Sequence, residues 1–207
     1  MPELAHESRP NTPASQDRKS HRVCPWWIGY LLASPLRRLF ENPNSILAPH
    51  VKPGMTVLDL GCAMGFFTLP LARLVGPRGR VVGVDVQERM IETLAGKIHR
   101  QKLDRIIETR ICAPERLGLD DLAGIVDFAL AYHVVHEVPD QERFFLDIAE
   151  TLRPDGRLLL AEPSGHVSDE ELDTELELAR WAGLTVQQRD RNRRSTVVLF
   201  GKAGAPC

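Results

Sequence analysis

Two groups of side chains have the types and spacing to do chemistry. The first is the run Asp59-Leu60-Gly61-Cys62-Ala63-Met64-Gly65, with Asp85 further along the chain. One carboxylate stands just ahead of a loop of small residues, and a second closes the apolar run 81–85. Gly61, Ala63 and Gly65 let a backbone turn sharply and approach a ligand that a larger side chain would push away. A carboxylate placed like Asp85 accepts two hydrogen bonds from the vicinal hydroxyls of a ribose. The plainer role for Asp85 is to cap the helix that follows. The second group is Tyr132, His133, His136 and Glu137, joined by Glu162 and His166. A histidine near neutral pKa suits proton removal. The plainer role for these residues is capping and packing. Histidines and carboxylates from adjacent loops can also ligate a metal, but H-x-x-H outside a helix fixes no metal geometry, and no metal is expected.

These groups need strand ends to hold them. Residues 56–60 form an apolar run, 66–75 an amphipathic segment, and 80–85 a second apolar run. This reads as strand, tight turn, helix and strand. The helix N-terminus aims free N–H groups at the loop. Residues 87–101 carry Met90, Ile91, Leu94 and Ile98 at helical spacing. Further strands are expected at 106–112, 123–131 and 157–161, with a helix from Gln141 that Pro154-Asp155-Gly156 ends. Ser168-Asp169-Glu170-Glu171 is a capping box for a helix running to about Ala182, with Gly183 as its stop. Strands at 184–188 and 196–200 follow with no helix between them. Alternation implies parallel crossovers, and the closely spaced final pair must be a hairpin with its last strand antiparallel.

The chain has 207 residues, 43% hydrophobic and 26% charged, with a net charge of −2. That suits one globular domain and supplies no overall pull toward nucleic acid or anionic membrane. The arginines 189, 191, 193 and 194 invite a nucleic-acid reading, against which stands a solvated hairpin tip. The four cysteines, Cys24, Cys62, Cys112 and Cys207, are scattered, so a reducing, cytoplasmic setting is expected. Residues 1–22 are rich in Pro, Ser and charge and read as a disordered tail. Residues 23–50 read as a helical lid. Its Trp26, Trp27 and Tyr30 pack on the core and are candidates to line a substrate pocket.

Two cofactor classes meet the acidic strand ends: dinucleotides and S-adenosylmethionine. A pyrophosphate wants G-x-G-x-x-G, but Phe66 stands where the last glycine would be, and Asp59 would repel it. Asp59 suits a cationic ammonium instead. At this point the sequence resembles the class I S-adenosylmethionine-dependent methyltransferases, and among them the small-molecule branch that includes the ubiquinone and menaquinone C-methyltransferases. The resemblance spans about residues 46–202. It rests on Asp59, Gly61, Ala63 and Gly65, on Asp85, on the stretch 132–140, and on 152–157 before the fifth strand. It departs at Ala63, where the family has glycine, and at Cys112, where the family has an acid that meets adenine.

The resemblance implies a Rossmann-like, doubly wound α/β sheet of seven strands, order 3-2-1-4-5-7-6, with strand seven antiparallel. Residues 51–203 would form this domain. It implies a cofactor laid across Asp59, Gly61, Cys62, Ala63, Gly65, Asp85, Val86, Cys112 and Ala113, with S-adenosylhomocysteine as product. The expected activity is methyl transfer to a small molecule, with Tyr132, His133 and His136 catalytic and Glu162 and His166 in the substrate pocket. A monomer or homodimer is expected, without nucleic acid or membrane. The alternatives are an RNA or protein methyltransferase, or a binding module without catalysis.

Overall fold

The computed structural model describes residues 41–202. The tail expected over 1–22 and most of the 23–50 lid, with Trp26, Trp27 and Tyr30, lie outside the described residues. The described chain begins with a short helix, α1 (Pro43–Leu47), capped by the Asn42 side chain and with Pro43 in its first turn. Proline is well placed there because its missing N–H is one the first turn leaves unpaired anyway.

Then follow β1 (Thr56–Leu60), α2 (Thr68–Val75), β2 (Arg80–Asp85), α3 (Glu88–Arg100), β3 (Ile107–Ile111), β4 (Val126–Tyr132), α4 (Gln141–Thr151), β5 (Leu152–Pro163), α5 (Asp169–Trp181), β6 (Leu184–Arg191) and β7 (Ser195–Lys202). All seven strands join one sheet in the order β3-β2-β1-β4-β5-β7-β6. The pairs among β1 to β5 are parallel. β7 runs antiparallel to both β5 and β6. The parallel crossovers and the antiparallel last strand are those expected from the alternation and the closing hairpin, and the strand order is the one the resemblance implied.

Successive strand residues point to opposite faces. Leu58, Leu60, Val82, Val84, Ala129 and Ala131 pack with α4 and α5 through Phe145, Ile148, Leu172 and Leu176. Val57, Val81, Phe128 and Leu130 pack with α1, α2 and α3 through Leu47, Leu71, Val75, Leu94 and Ile98. Both faces are covered, so the inner parallel strands, β5 from Leu158 onward, read as largely apolar sequence.

Two boundaries differ from expectation. α4 ends at Thr151, and Leu152 already pairs with Val126 before a register shift brings Arg157 opposite Phe128. The Pro154-Asp155-Gly156 stretch is therefore an irregularity inside β5. A side chain on Gly156 would come within 2.8 Å of the Val126 carbonyl oxygen. β6 also runs on to Arg191, past the polar residues taken for a loop. Arg189 and Arg191 there pair with Asp173 and Asp169 of α5, at 3.2 and 2.7 Å. Two of the four arginines thus belong to a strand-to-helix seam.

Candidate active site

The carboxyl ends of β1, β2, β4 and β5 lie side by side and carry the polar residues singled out above. Leaving β1, the chain turns through left-handed backbone at Gly61 (φ +69°), Ala63 (φ +45°) and Gly65 (φ +85°). A Cβ on Gly61 would stand 2.8 Å from Val134 Cγ2, and one on Gly65 would stand 2.5 Å from Leu94 Cδ1. Left-handed backbone favours glycine at both places, and a side chain there would also have to displace Val134 or Leu94. Ala63 takes the same region with a methyl group, which costs roughly 1–2 kcal/mol. One compensation is visible: the Ala63 N–H donates to Asp85 Oδ2 at 2.9 Å.

Asp85 ends β2 and is 8% exposed. Its other oxygen accepts the Gln87 N–H at 2.9 Å. It therefore serves the turn into α3, as the plainer reading held, and it also pins the loop. Each oxygen still has a lone pair to offer. Burial pushes the Asp85 carboxyl up, and the N–H groups of Gln87, Ala63 and Val86 pull it back. Exposed Val86 and Ile111 flank it. The Cys112 N–H donates to the Asp85 carbonyl at 3.1 Å. Burial, with the Asp85 charge, lifts the Cys112 thiol to about 11. A neutral thiol thus stands where an acid was looked for, and Ala113 follows it exposed on the surface.

Asp59 sits deeper than the loop it precedes. It is 2% exposed and accepts the Thr68 hydroxyl of α2 at 2.6 Å. Burial raises its carboxyl to about 7, with the Asp85 charge adding and the Thr68 bond opposing. Cys62 is buried beneath the loop, its thiol raised by burial and by the charges of Asp59 and Asp85. The cradle fits an adenosine-bearing cation: open backbone at the turn, a carboxylate with spare lone pairs for a diol, and a buried acid that a positive charge would hold ionised.

The turn after β4 forms the other wall. Tyr132 packs against Phe67 and His133, with ring centroids 4.5 and 4.4 Å away and the rings tilted by 44° and 37°. Its hydroxyl donates to Glu41 at 3.0 Å. His133 is held in left-handed backbone (φ +59°), and its Nε2 lies 2.7 Å from the hydroxyl of buried Ser195 on β7. A non-glycine residue in that region marks stored strain. Val134 roofs Gly61, and the Val135 N–H donates to Glu162 Oε1 at 3.0 Å.

His136 follows. Its Nδ1 lies 2.5 Å from Oε2 of Glu162, which ends β5 and is 1% exposed. A carboxylate only accepts, so Nδ1 carries the hydrogen and Nε2 keeps its lone pair. Nε2 lies 4.0 Å from Glu137 Oε1. Burial pulls the His136 pKa down, but the Glu162 hydrogen bond and the charges of Glu162, Glu137 and Glu171 outweigh it and leave it raised. His166 is exposed on the turn beyond β5, whereas Glu162 is sealed beneath it. The structure thus joins His136 to Glu162 and His133 to Ser195, and leaves His166 at the surface.

Four participants were missed from sequence: Thr68, Ser195, Gln141 and Glu175. Gln141 donates to the Val135 carbonyl at 3.0 Å and reaches Glu175 at 3.4 Å. Only Glu175 left a signal, because it falls on the apolar face set by Leu172, Leu176 and Ala179.

A family model described as a methyltransferase domain matches residues 51–194. The chain belongs to the methyltransferase-domain family. It is 31% identical over 141 residues to a ubiquinone biosynthesis O-methyltransferase of Bradyrhizobium diazoefficiens, covering 68% of this chain and 51% of that protein. It is 32% identical over 114 residues to a demethylmenaquinone methyltransferase of Lactobacillus johnsonii, covering 55% and 46%. The chain thus spans about half the length of these relatives. Among solved structures, a SAM-dependent methyltransferase from Aquifex aeolicus superposes with a TM-score of 0.77 at 23% identity, covering 87% of this chain and all of that one. The shared fold is that of the class I methyltransferases.

Proposed function

We propose that this chain binds S-adenosylmethionine across the 59–65 loop and Asp85 and directs its methyl group to a small-molecule acceptor whose proton His136 removes. One observation carries the reading. The turn that roofs Gly61 through Val134 also carries His136, locked by Glu162 with one ring nitrogen left to act. When bound, the sulfonium supplies an electrophilic methyl with a neutral thioether as leaving group. Asp85 offers its spare lone pairs to the ribose hydroxyls. Val86 and Ile111 provide apolar surface beside it, and Cys112 and Ala113 edge the adenine end. Asp59 balances the positive end of the ligand from below the loop.

His136 Nε2 takes the proton of the acceptor, most simply a hydroxyl, as its oxygen bonds to the methyl carbon. The imidazolium so formed is held by Glu162. Tyr132 and His133 shape the acceptor side and are themselves fixed by Glu41, Phe67 and Ser195. Orientation of this kind is worth roughly 7–11 kcal/mol, and a placed base a further 10²–10⁴-fold, on the scale of about 3–5 kcal/mol.

A small-molecule acceptor is favoured over RNA because Arg189 and Arg191 are already engaged by Asp173 and Asp169. No helix among the described residues is long and apolar enough to cross a membrane. Free thiols at Cys62 and Cys112 fit a reducing, cytoplasmic setting. The test is calorimetry with S-adenosylhomocysteine, S-adenosylmethionine and NAD, then methyl transfer to a panel of phenols, enols and amines. Binding of the first two and turnover of a hydroxyl acceptor support the reading. NAD binding without S-adenosylmethionine binding refutes it.

A further inference from the structure

The loop after β1 has little in its own residues to fix its shape. Gly65 takes φ of either sign about as readily, so the peptide joining Met64 to Gly65 could face either way. Ala63 holds a left-handed backbone (φ +45°) that alanine does not favour. The holds come from hydrogen bonds and from neighbouring elements. Asp85 takes the Ala63 N–H at 2.9 Å. The Gly65 N–H closes a turn on the Cys62 carbonyl, also at 2.9 Å. That leaves the Met64 carbonyl. Met64 is 3% exposed, so bulk water does not serve its backbone, and a buried carbonyl needs a donor. Lys97 of α3 supplies one: its Nζ donates to the Met64 oxygen at 2.7 Å. Leu94, about one turn earlier on the same face of α3, is the side chain that a Cβ on Gly65 would meet.

We propose that Lys97 is a positioning residue of the cofactor loop: its ammonium sets which way the Met64–Gly65 peptide faces, and so the shape the loop offers to S-adenosylmethionine. This rests on the reading of residues 59–65 as the cofactor cradle. A lysine in the last turn of a helix also suits the helix dipole, and α3 carries His99 and Arg100 there as well. What sets Lys97 apart is a partner 33 residues back in the chain, inside the loop. A charged donor holds a carbonyl more firmly than a neutral one. The Met64 C=O and the Gly65 N–H belong to one rigid peptide plane, so they turn together. Lys97 holds one side of that plane and the Cys62 carbonyl the other. Without the ammonium the oxygen is left buried and unpaired. The plane can then rotate, because glycine follows it, and the turn on Cys62 opens in the same movement. Asp85, Leu94 and Lys97 lie on one continuous stretch, the end of β2 and α3, and they meet the loop at Ala63, Gly65 and Met64.

The test uses Lys97→Met, Lys97→Leu and Lys97→Arg in the full chain. All three residues have helix propensities close to that of lysine, so α3 itself is little disturbed. Calorimetry with S-adenosylhomocysteine gives the Kd. Amide hydrogen exchange at Gly65 in the free protein, followed by NMR, gives a reading that needs no ligand. Lys97→Met should raise the Kd about fivefold or more and speed Gly65 exchange about tenfold, the scale of one charged hydrogen bond. Lys97→Arg still presents N–H donors and should recover most of both effects. A lysine that served only the helix would lower the melting temperature and leave both readings where they are. A folded Lys97→Met that keeps either the Kd or the Gly65 exchange of the unaltered chain overturns the proposal, and so does an arginine variant no better than the methionine one. Where Lys97→Met fails to fold, Lys97→Leu decides by the same comparison. Failure of the cradle reading looks different: the unaltered chain then binds no S-adenosylhomocysteine, while Gly65 exchange is still faster in Lys97→Met.

Discussion

Asp59 changes charge near neutral pH, because its buried carboxyl is held at about 7 against an ordinary value of 3.8. The sign of the consequence follows from proton binding: between those values the folded state keeps a proton that the unfolded chain has lost. Stability therefore falls as pH rises from 3.8 toward 7. The full shift corresponds to about 4 kcal/mol, an upper bound for the loss. Asp59→Asn keeps an oxygen for Thr68 and cannot ionise. It should melt higher than the unaltered protein at pH 8 and bind S-adenosylmethionine at least tenfold more weakly. Thermal unfolding and calorimetry at that pH check both halves. Equal melting temperatures would mean that Asp59 carries no strain. His136 has the opposite dependence, in activity. It must be neutral to accept a proton, and its pKa is raised, so kcat/KM should climb with pH through a midpoint above the ordinary histidine value of 6.5. Asp85→Asn, which weakens the diol contact and keeps a side chain under Ala63, should raise the cofactor Kd by about 10–100-fold, the worth of a charged hydrogen bond.

Elements show which parts of this fold can be read from a chain. β1 and β2 have the bounds expected from sequence because apolar runs end there at an acid or a glycine turn. α5 was legible from its capping box, with the Ser168 side chain accepting the Glu171 N–H at 3.2 Å. Ser168→Ala should cost about 1 kcal/mol of stability and leave the cofactor Kd unchanged, a control for effects confined to the loop. Gly65→Ala should differ in kind. It adds a methyl against Leu94 at a positive φ, so it should both destabilise the protein and weaken cofactor binding; a fully active, equally stable variant would contradict the assigned loop geometry. β6 was underread because Gln187 to Arg191 are polar, and polar residues suit a loop as well as they suit one exposed side of a hairpin. The turn after β4 was read as chemistry without its pairings, since partners for His133 and His136 come from β7 and β5, far along the chain. No local pattern encodes such meetings. Glu175 was the exception, an acid on an apolar stripe that periodicity alone could have flagged.

At the scale of the whole molecule, cofactor and stability are linked by mass action. S-adenosylhomocysteine at a hundred times its Kd should stabilise the protein by about 2.7 kcal/mol, read as a rise in melting temperature of several degrees. A smaller rise in Asp85→Asn at equal concentration would follow from its weaker binding. Sheet order has a temporal side as well. β7 follows every other strand in sequence yet lies between β5 and β6, and it brings Ser195 to His133. During synthesis the cofactor loop and the His136–Glu162 pair can emerge while this place in the sheet is still open. The acceptor wall therefore takes a residue from the last strand to be made, because Ser195 of β7 is the partner of His133 Nε2.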